Sequence, residues 1–390
     1  MKRVICMLLC IALLAVFAVG CAKKGDSTTA PPDGSSAPAP ADQGEAPADQ
    51  DYKEWLLACN NWGVGAYPLD IIFEEMGRMA SAVGVKLDVA NNAFTADKVI
   101  SDLQNQISSK VDGVAFLSVA QPLFPTVADI CKDAKLPFMF FTNAPEESAL
   151  PAIMENPYFC GIVQAYQYQA GVQIAEMALA DGMKTAILSG AAIGDYAHDQ
   201  RMAGFKATFE AGGGKVLYTS HAADPSEGTQ KANDFITAYP DADMVYCTGG
   251  DFVSALLSAM ESRSDVNYAV YGTDVSPDLA QQILDKGTIR ALNGLQYGEG
   301  AIGATLVINY LDGHQILDEN GKPPIFNHLE MVVIDKSNAQ QYIDMMNSTG
   351  EIITADEYRS LLYRYNPDVD YQTYYDFIAN YNEMVSAKLK

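Results

Sequence analysis

The sequence predicts an α/β protein built as two similar three-layer units, each a parallel sheet covered by helices on both faces. Three observations predict it. Short apolar runs without alternation, such as Val114-Ala115-Phe116-Leu117 and Phe138-Met139-Phe140-Phe141, recur along the chain. Segments of helical period separate them, with Ile72, Met76, Met79 and Val83 on one face as an example. The whole alternation restarts near Ala165. A strand that is apolar at every position is one buried on both faces, the condition of a parallel sheet.

Taken in order, Trp55 to Cys59 reads as the first strand and ends in Asn60-Asn61. Leu69 to Val83 is helical and stops at Gly84; Val85 to Val89 is the next strand. Ala96 to Ser108 is a helix, Val114 to Leu117 a strand, Thr126 to Ala134 a helix and Pro137 to Phe141 a strand. The second unit opens with a helix over Ala165 to Asp181. It continues with strands at Thr185 to Leu188, Lys215 to Tyr218 and Met244 to Cys247, separated by helices at Arg201 to Ala211 and Thr229 to Tyr239. A helix over Phe252 to Arg263, a strand over Tyr268 to Tyr271, a helix over Pro277 to Lys286 and a strand over Ile289 to Leu295 complete it. Gly298 to Leu311 is then helical, and Leu329 to Ile334 is a late strand. Residues 346–390 are crowded with tyrosines, among them Tyr358, Tyr374 and Tyr381. They read as helical segments broken at Pro367 that pack on the body, with a partner-binding surface as the alternative.

The amino terminus carries a different message. Lys2-Arg3 precede an apolar run from Val4 to Val19, and Ala18-Val19-Gly20 precede Cys21. A basic start, an apolar middle and small residues at a cut site make a secretory signal. The cysteine directly after them resembles the lipobox of bacterial lipoproteins, in which the thiol is acylated and the protein is held outside the cytoplasmic membrane. Residues 22–50 are Pro-, Ala-, Ser- and Gly-rich with almost no large apolar side chain, so they cannot offset their ordering entropy and read as a tether.

A formal charge of −24 disfavours nucleic acid and anionic head groups as partners. No later apolar run approaches the roughly 20 residues that span a bilayer. Cys59, Cys131, Cys160 and Cys247 are far apart and sit among apolar residues, so buried free thiols are expected in preference to disulfides, and no metal site is expected. No phosphate loop, nucleophile elbow or His-Glu-x-x-His occurs, and His198, His221, His314 and His328 are scattered. No cofactor and no catalytic residue is expected.

Several segments, in order and spacing, carry a family resemblance over roughly residues 52–345. They are Asn60-Asn61 with the helix near Tyr67-Pro68, Asp112 to Leu117, Ala134-Lys135-Leu136-Pro137-Phe138, Gly171, Arg201-Met202-Ala203-Gly204-Phe205 and Tyr271-Gly272-Thr273-Asp274. Together they resemble the type I periplasmic binding proteins, close to the ribose/galactose group. That resemblance implies two lobes joined by a three-strand hinge, a ligand cleft between them, and closure on the ligand. The implied boundaries are a signal at 1–20, a tether at 21–50, a first lobe of 52–159 plus 296–326, a second of 160–295 plus 327–345, and the extension at 346–390.

In open α/β sheets the crevice lies at the carboxyl ends of the strands. The expected ligand-binding residues are therefore Asn61, Trp62, Tyr67, Asn143, Tyr196, Asp199, Thr248, Asp251, Asp274 and Gln296. Amides both donate and accept, which suits vicinal hydroxyls, and aromatic faces stack on rings. Asn61 could equally be a turn residue, Trp62 a core anchor and Asp251 a helix cap. Two departures stand out: Thr142-Asn143 where the family often has Asp-Arg, and Asp199 where many sugar binders carry arginine. Asp199, Asp251 and Asp274 without a matched arginine point to a neutral or cationic polar ligand. The resemblance implies a monomeric, lipid-anchored receptor that hands a sugar-like solute to an ABC transporter permease. A sensor for a histidine kinase or chemoreceptor, a nucleoside- or amine-binding relative, and an exported hydrolase stand as alternatives.

Overall fold

Leu57, Ala58 and Cys59 are buried, as are all four residues from Phe138 to Phe141, because the strands that hold them lie inside sheets with helices on both sides. The structure, a computed structural model, describes residues 52–390 except 66, 94, 118 and 119. Cys21, the signal and the tether lie outside the described residues. The first lobe runs β1 (Leu56–Asn61), α1 (Tyr67–Val83), β2 (Lys86–Asn91), α2 (Ala96–Ser108), β3 (Gly113–Leu117), α3 (Leu123–Ala134), β4 (Phe138–Phe141), α4 (Leu150–Met154) and β5 (Phe159–Ala165). The second runs α5 (Gln167–Ala180), β6 (Thr185–Ala191), α6 (Tyr196–Ala211), β7 (Lys215–Ala222), α7 (Pro225–Ala238), β8 (Met244–Cys247), α8 (Gly250–Met260), β9 (Ala269–Thr273), α9 (Pro277–Asp285) and β10 (Ile289–Gly294). The chain then returns with α10 (Glu299–Leu311) and β11 (Ile325–Leu329) to the first lobe. It goes out again with β12 (Val332–Asp335) and α11 (Ala339–Ser348), and ends in α12 (Ala355–Ser360), α13 (Tyr371–Ala379) and α14 (Tyr381–Ala387).

Each lobe holds a six-stranded sheet, ordered β11-β5-β4-β3-β1-β2 in the first and β12-β10-β9-β8-β6-β7 in the second. The two orders are the same, which accounts for the restart of the sequence pattern. All pairs are parallel except β10 with β12. The exception has a simple cause. β11 runs toward the crevice beside β5 and passes through Glu330-Met331 directly into the other lobe, with no helix to reverse it, so β12 runs away from the crevice. The edge strand β2 has no buried residue, since one flank and part of one face meet solvent.

The structure moves two sequence readings. The run Phe159–Ala165 is a buried strand of the first sheet, so the chain leaves that lobe at Tyr166 and not at 160. The single late strand over 329–334 is two strands in two different sheets, and the crossing falls at Glu330-Met331 instead of 326. The tail packs on the body as its pattern suggests: Tyr358, Tyr374 and Tyr381 are buried, Tyr375 stays exposed, and Tyr374 shares its hydroxyl with Thr305 at 2.6 Å and donates to the Leu361 carbonyl at 2.9 Å. Arg364 donates to both carboxylate oxygens of Asp312 at 2.8 Å, a buried two-pronged pair that fixes the tail to α10's end. Cys59, Cys131, Cys160 and Cys247 are buried free thiols, as their apolar surroundings in sequence suggest.

Candidate functional site

The strand order of each sheet switches direction between β1 and β3 and between β6 and β8, and ligands of open α/β sheets lie at such points. In the first lobe the switch is sewn shut by Asn60. Its side-chain amide donates to the Leu117 carbonyl at 2.7 Å and accepts from the Leu117 N–H at 2.9 Å. Asn61 turns the chain: its oxygen accepts from Gly63 N–H at 3.0 Å and its amide reaches Asp70 at 3.3 Å. Trp62 is half-buried and packs against the first lobe's core on both sides of the sheet.

The second lobe presents charge at its switch. Arg201, on the second turn of α6, is buried; its Nη1 donates to the Thr248 carbonyl at 2.7 Å and lies 3.4 Å from Asp274 Oδ2. Its Nε donates to Gln167 Oε1 at 2.7 Å. Asp274 follows β9 in the left-handed region, with φ +68, a conformation that aspartate tolerates better than most residues. Its other oxygen, Oδ1, accepts from Gln296 Nε2 at 2.7 Å. His198 Nδ1 meets Thr248 Oγ1 at 2.8 Å, and its ring stands edge-on to Phe252. Burial lowers the His198 pKa, which favours the neutral imidazole. Two glycines make room: a Cβ on Gly190 would fall 1.9 Å from Thr248 Oγ1, and one on Gly249 2.9 Å from His198 Cε1.

Between the lobes stands Glu299, at the start of α10 and almost wholly buried. It accepts from Thr142 Oγ1 at 2.5 Å and from the Ala165 N–H at 2.9 Å, so one carboxylate joins the ends of β4 and β5 to the second return crossing. Burial pushes it up to about 7, against the relief from Thr142 and Ala165. Gln164, at the end of β5, reaches the Tyr196 hydroxyl on α6 at 3.5 Å. Three buried polar atoms here have no protein partner: Gln164 Oε1, Gln167 Nε2 and Gln296 Oε1. A buried amide left half-used is costly unless something else satisfies it. Open hollows of about 630 and 680 Å³ lie elsewhere, one by Asp243 and Arg290 and one against α1. No residue lining either has such an atom.

A model of the periplasmic binding protein domain matches residues 69–315, well over half of the chain. The chain belongs to that family. Solved structures with the same fold include a galactofuranose binding protein, 15% identical with a TM-score of 0.66, matched over 76% of this chain and 99% of that one. Another is an ABC transporter solute binding protein from Actinobacillus succinogenes 130z with bound D-allose, at 16% identity and TM-score 0.65 over 74% and 100% of the two chains. A carbohydrate transporter from Acidothermus cellulolyticus 11B in complex with myo-inositol matches at 17% and 0.64 over 77% and 100%. At such identities the likeness speaks for the fold. No curated protein matches the chain.

Within this periplasmic binding protein, the expected residues fall into two groups. Thr248, Asp274 and Gln296 form one bonded cluster around Arg201, and Tyr196 bonds to Gln164 of the first lobe. Asp251 lies in the first turn of α8, whose N-cap position is Gly249, so Asp251 is not the cap; burial and then the like charge of Asp274 raise its carboxyl. Asn143 is buried at the end of β4. The others are engaged in the scaffold. Asn61 serves the turn described above. Asp199 accepts from the Gly194 N–H at 2.8 Å. Tyr67 shares its hydroxyl with Tyr342 at 3.1 Å and packs edge-on against Tyr297. The expectation of acids without a matched cation is corrected by Arg201. Arg201, Gln164, Gln167, His198 and Glu299 were not foreseen. Glu299 carries a signal in sequence, being the only charged residue from 299 through 311.

Proposed function

We propose that this protein is the extracytoplasmic solute-binding component of an ABC importer, and that it takes a small, neutral, polyhydroxyl ligand of the sugar or cyclitol class between its lobes. The observation that carries this reading is the cluster of Arg201, Asp274 and Gln296 with three half-used buried amides around it. A carboxylate already balanced by a guanidinium offers acceptors and donors without net charge, so an ion would enter uncompensated. Hydroxyls both donate and accept, which is what a free amide oxygen and a free amide N–H together ask for. The solved structures of the same fold with bound D-allose and with myo-inositol support the same class. The lobes close about the three crossings, the amino-terminal signal exports the chain, and acylated Cys21 anchors it to the outer face of the membrane as a monomer. No catalytic step is proposed.

Thermal-shift screening of the purified protein tests the ligand class. A ligand that binds only the folded form raises the melting point by mass action. Pentoses, hexoses or inositols are expected to raise it; a response confined to nucleosides, amines or anions would overturn the reading. Anchoring is tested separately by labelling cells with a palmitate analogue, where wild-type chain takes up label and Cys21→Ala does not.

A further inference from the structure

We propose that residues 349–390 form a strap across the hinge that holds the lobes toward one another and limits how far they open. The inference rests on the hinge motion proposed above but concerns a part of the chain outside the family match, which ends at 315. The solved relatives are themselves covered to 99 or 100% while about a quarter of this chain is left over, a share that residues 1–51 and the strap together would fill.

Its path makes the case. α11 packs on α9 of the second lobe. The chain then crosses to the first lobe, where Ile353 N–H and the Tyr358 hydroxyl both donate to Glu75 Oε1 of α1, at 3.1 and 2.7 Å. The Arg364–Asp312 pair and the Tyr374 hydroxyl secure it there. At α14 it turns back onto the hinge itself. The Tyr381 hydroxyl donates to the Leu295 carbonyl in the second crossing, and Asn382 Nδ2 donates to the Met331 carbonyl in the third. Gly298, in the second crossing, is packed so closely that a Cβ there would meet Ile353 Cδ1 at 2.4 Å and the Tyr381 hydroxyl at 3.1 Å.

A family hinge bends by changing backbone torsions in its few crossing residues. Here two of the three crossings have their carbonyls held by one segment, which is itself anchored by buried bonds in the first lobe and packed on β12 of the second. Rotation of the lobes must break those bonds or strain the strap. The arrangement seen here, in which Gln164 of the first lobe reaches Tyr196 of the second, therefore carries a bias that the three crossings alone do not supply. A receptor whose competent form is already favoured loses less affinity to conformational selection.

The test needs no ligand. Spin labels at Val64→Cys and Ile193→Cys, exposed positions in the loops after β1 and β6, report the separation of the lobes in the full chain carrying Cys6→Ser, Cys10→Ser and Cys21→Ser, with Cys59, Cys131, Cys160 and Cys247 buried. Two further variants loosen the strap: Tyr381→Phe removes one oxygen and keeps the ring, and Gly298→Ala inserts a methyl under Ile353. Each is expected to raise the open-to-closed ratio, about fivefold for Tyr381→Phe, the factor set by the net worth of a typical hydrogen bond. A wild type with two populations that neither variant alters overturns the strap and leaves the hinge standing. A single separation common to all three chains overturns the strap and counts against the hinge as well.

Discussion

The two lobes share a strand order and face each other with the same ends of their sheets, yet they use polar side chains there differently. In the first lobe the amides that end β1 are spent within that lobe: Asn60 bridges to Leu117 and Asn92, and Asn61 closes the turn to Gly63 and reaches Asp70. In the second, the matching region holds an ion pair, an imidazole and a glutamine whose bonds run between elements. The topology alone does not decide which lobe recognises a ligand. A glycine does part of that work: the second lobe has Gly190 near the end of β6, where any side chain would displace Thr248.

Replacing Arg201 by alanine should expose this contrast most strongly. It strands the Asp274 carboxylate and the Thr248 carbonyl in a buried site and should cost about 3–5 kcal/mol in denaturant unfolding, with loss of ligand response. Glu299, on the first-lobe side, makes the next largest difference. Its ordinary value of 4.5 rises to about 7 on folding, so the folded chain keeps a proton that the unfolded chain releases. Stability should therefore fall as pH rises from about 4.5 to about 7, by an order of 3 kcal/mol, and level off above. Glu299→Gln should remove that slope, seen as the difference between the two chains' unfolding free energies from pH 5 to 8.

Asp274→Asn keeps a residue suited to positive φ, so its effect should be on binding more than on stability, roughly 10–100-fold in affinity for the best ligand of the thermal-shift panel. Calorimetric titration reads it, and NMR titration should find Asp251 shifted down toward the usual carboxylate range as its like-charged neighbour is lost. Asn60→Ala should do the reverse: about 1–2 kcal/mol of stability lost through the unpaired Leu117 N–H, with affinity unchanged. Equal losses of affinity from Asn60→Ala and Asp274→Asn would erase the division of labour between lobes.

Most of the scaffold was legible because a strand buried on both faces leaves an unbroken apolar run. β5 was not, since Gly161 and Gln164 interrupt its apolar character and the helix at Gln167 follows without a turn signal. The site was legible at strand ends, where Thr248 and Asp274 stand one residue past β8 and β9. It was illegible on α6, where Arg201 is buried by tertiary packing and looks in sequence like any surface arginine. Gln164, Gln167 and Glu299 escaped because a polar residue buried by tertiary packing looks in sequence like any surface residue. Only the apolar company of Glu299 betrayed it.

α5 and α6 touch at glycines. A Cβ on Gly171 would come within 2.0 Å of the carbonyl of Arg201, and one on Gly204 within 2.0 Å of the carbonyl of Tyr168. The backbone that carries the guanidinium is thus seated directly on a neighbouring helix, with no side chain to act as a cushion. A single methyl group on Gly171 would press on the Arg201 carbonyl and shift the turn of α6 that holds the guanidinium against Asp274. The placing of the Arg201–Asp274 pair thus depends on two glycine hydrogens outside the pair itself.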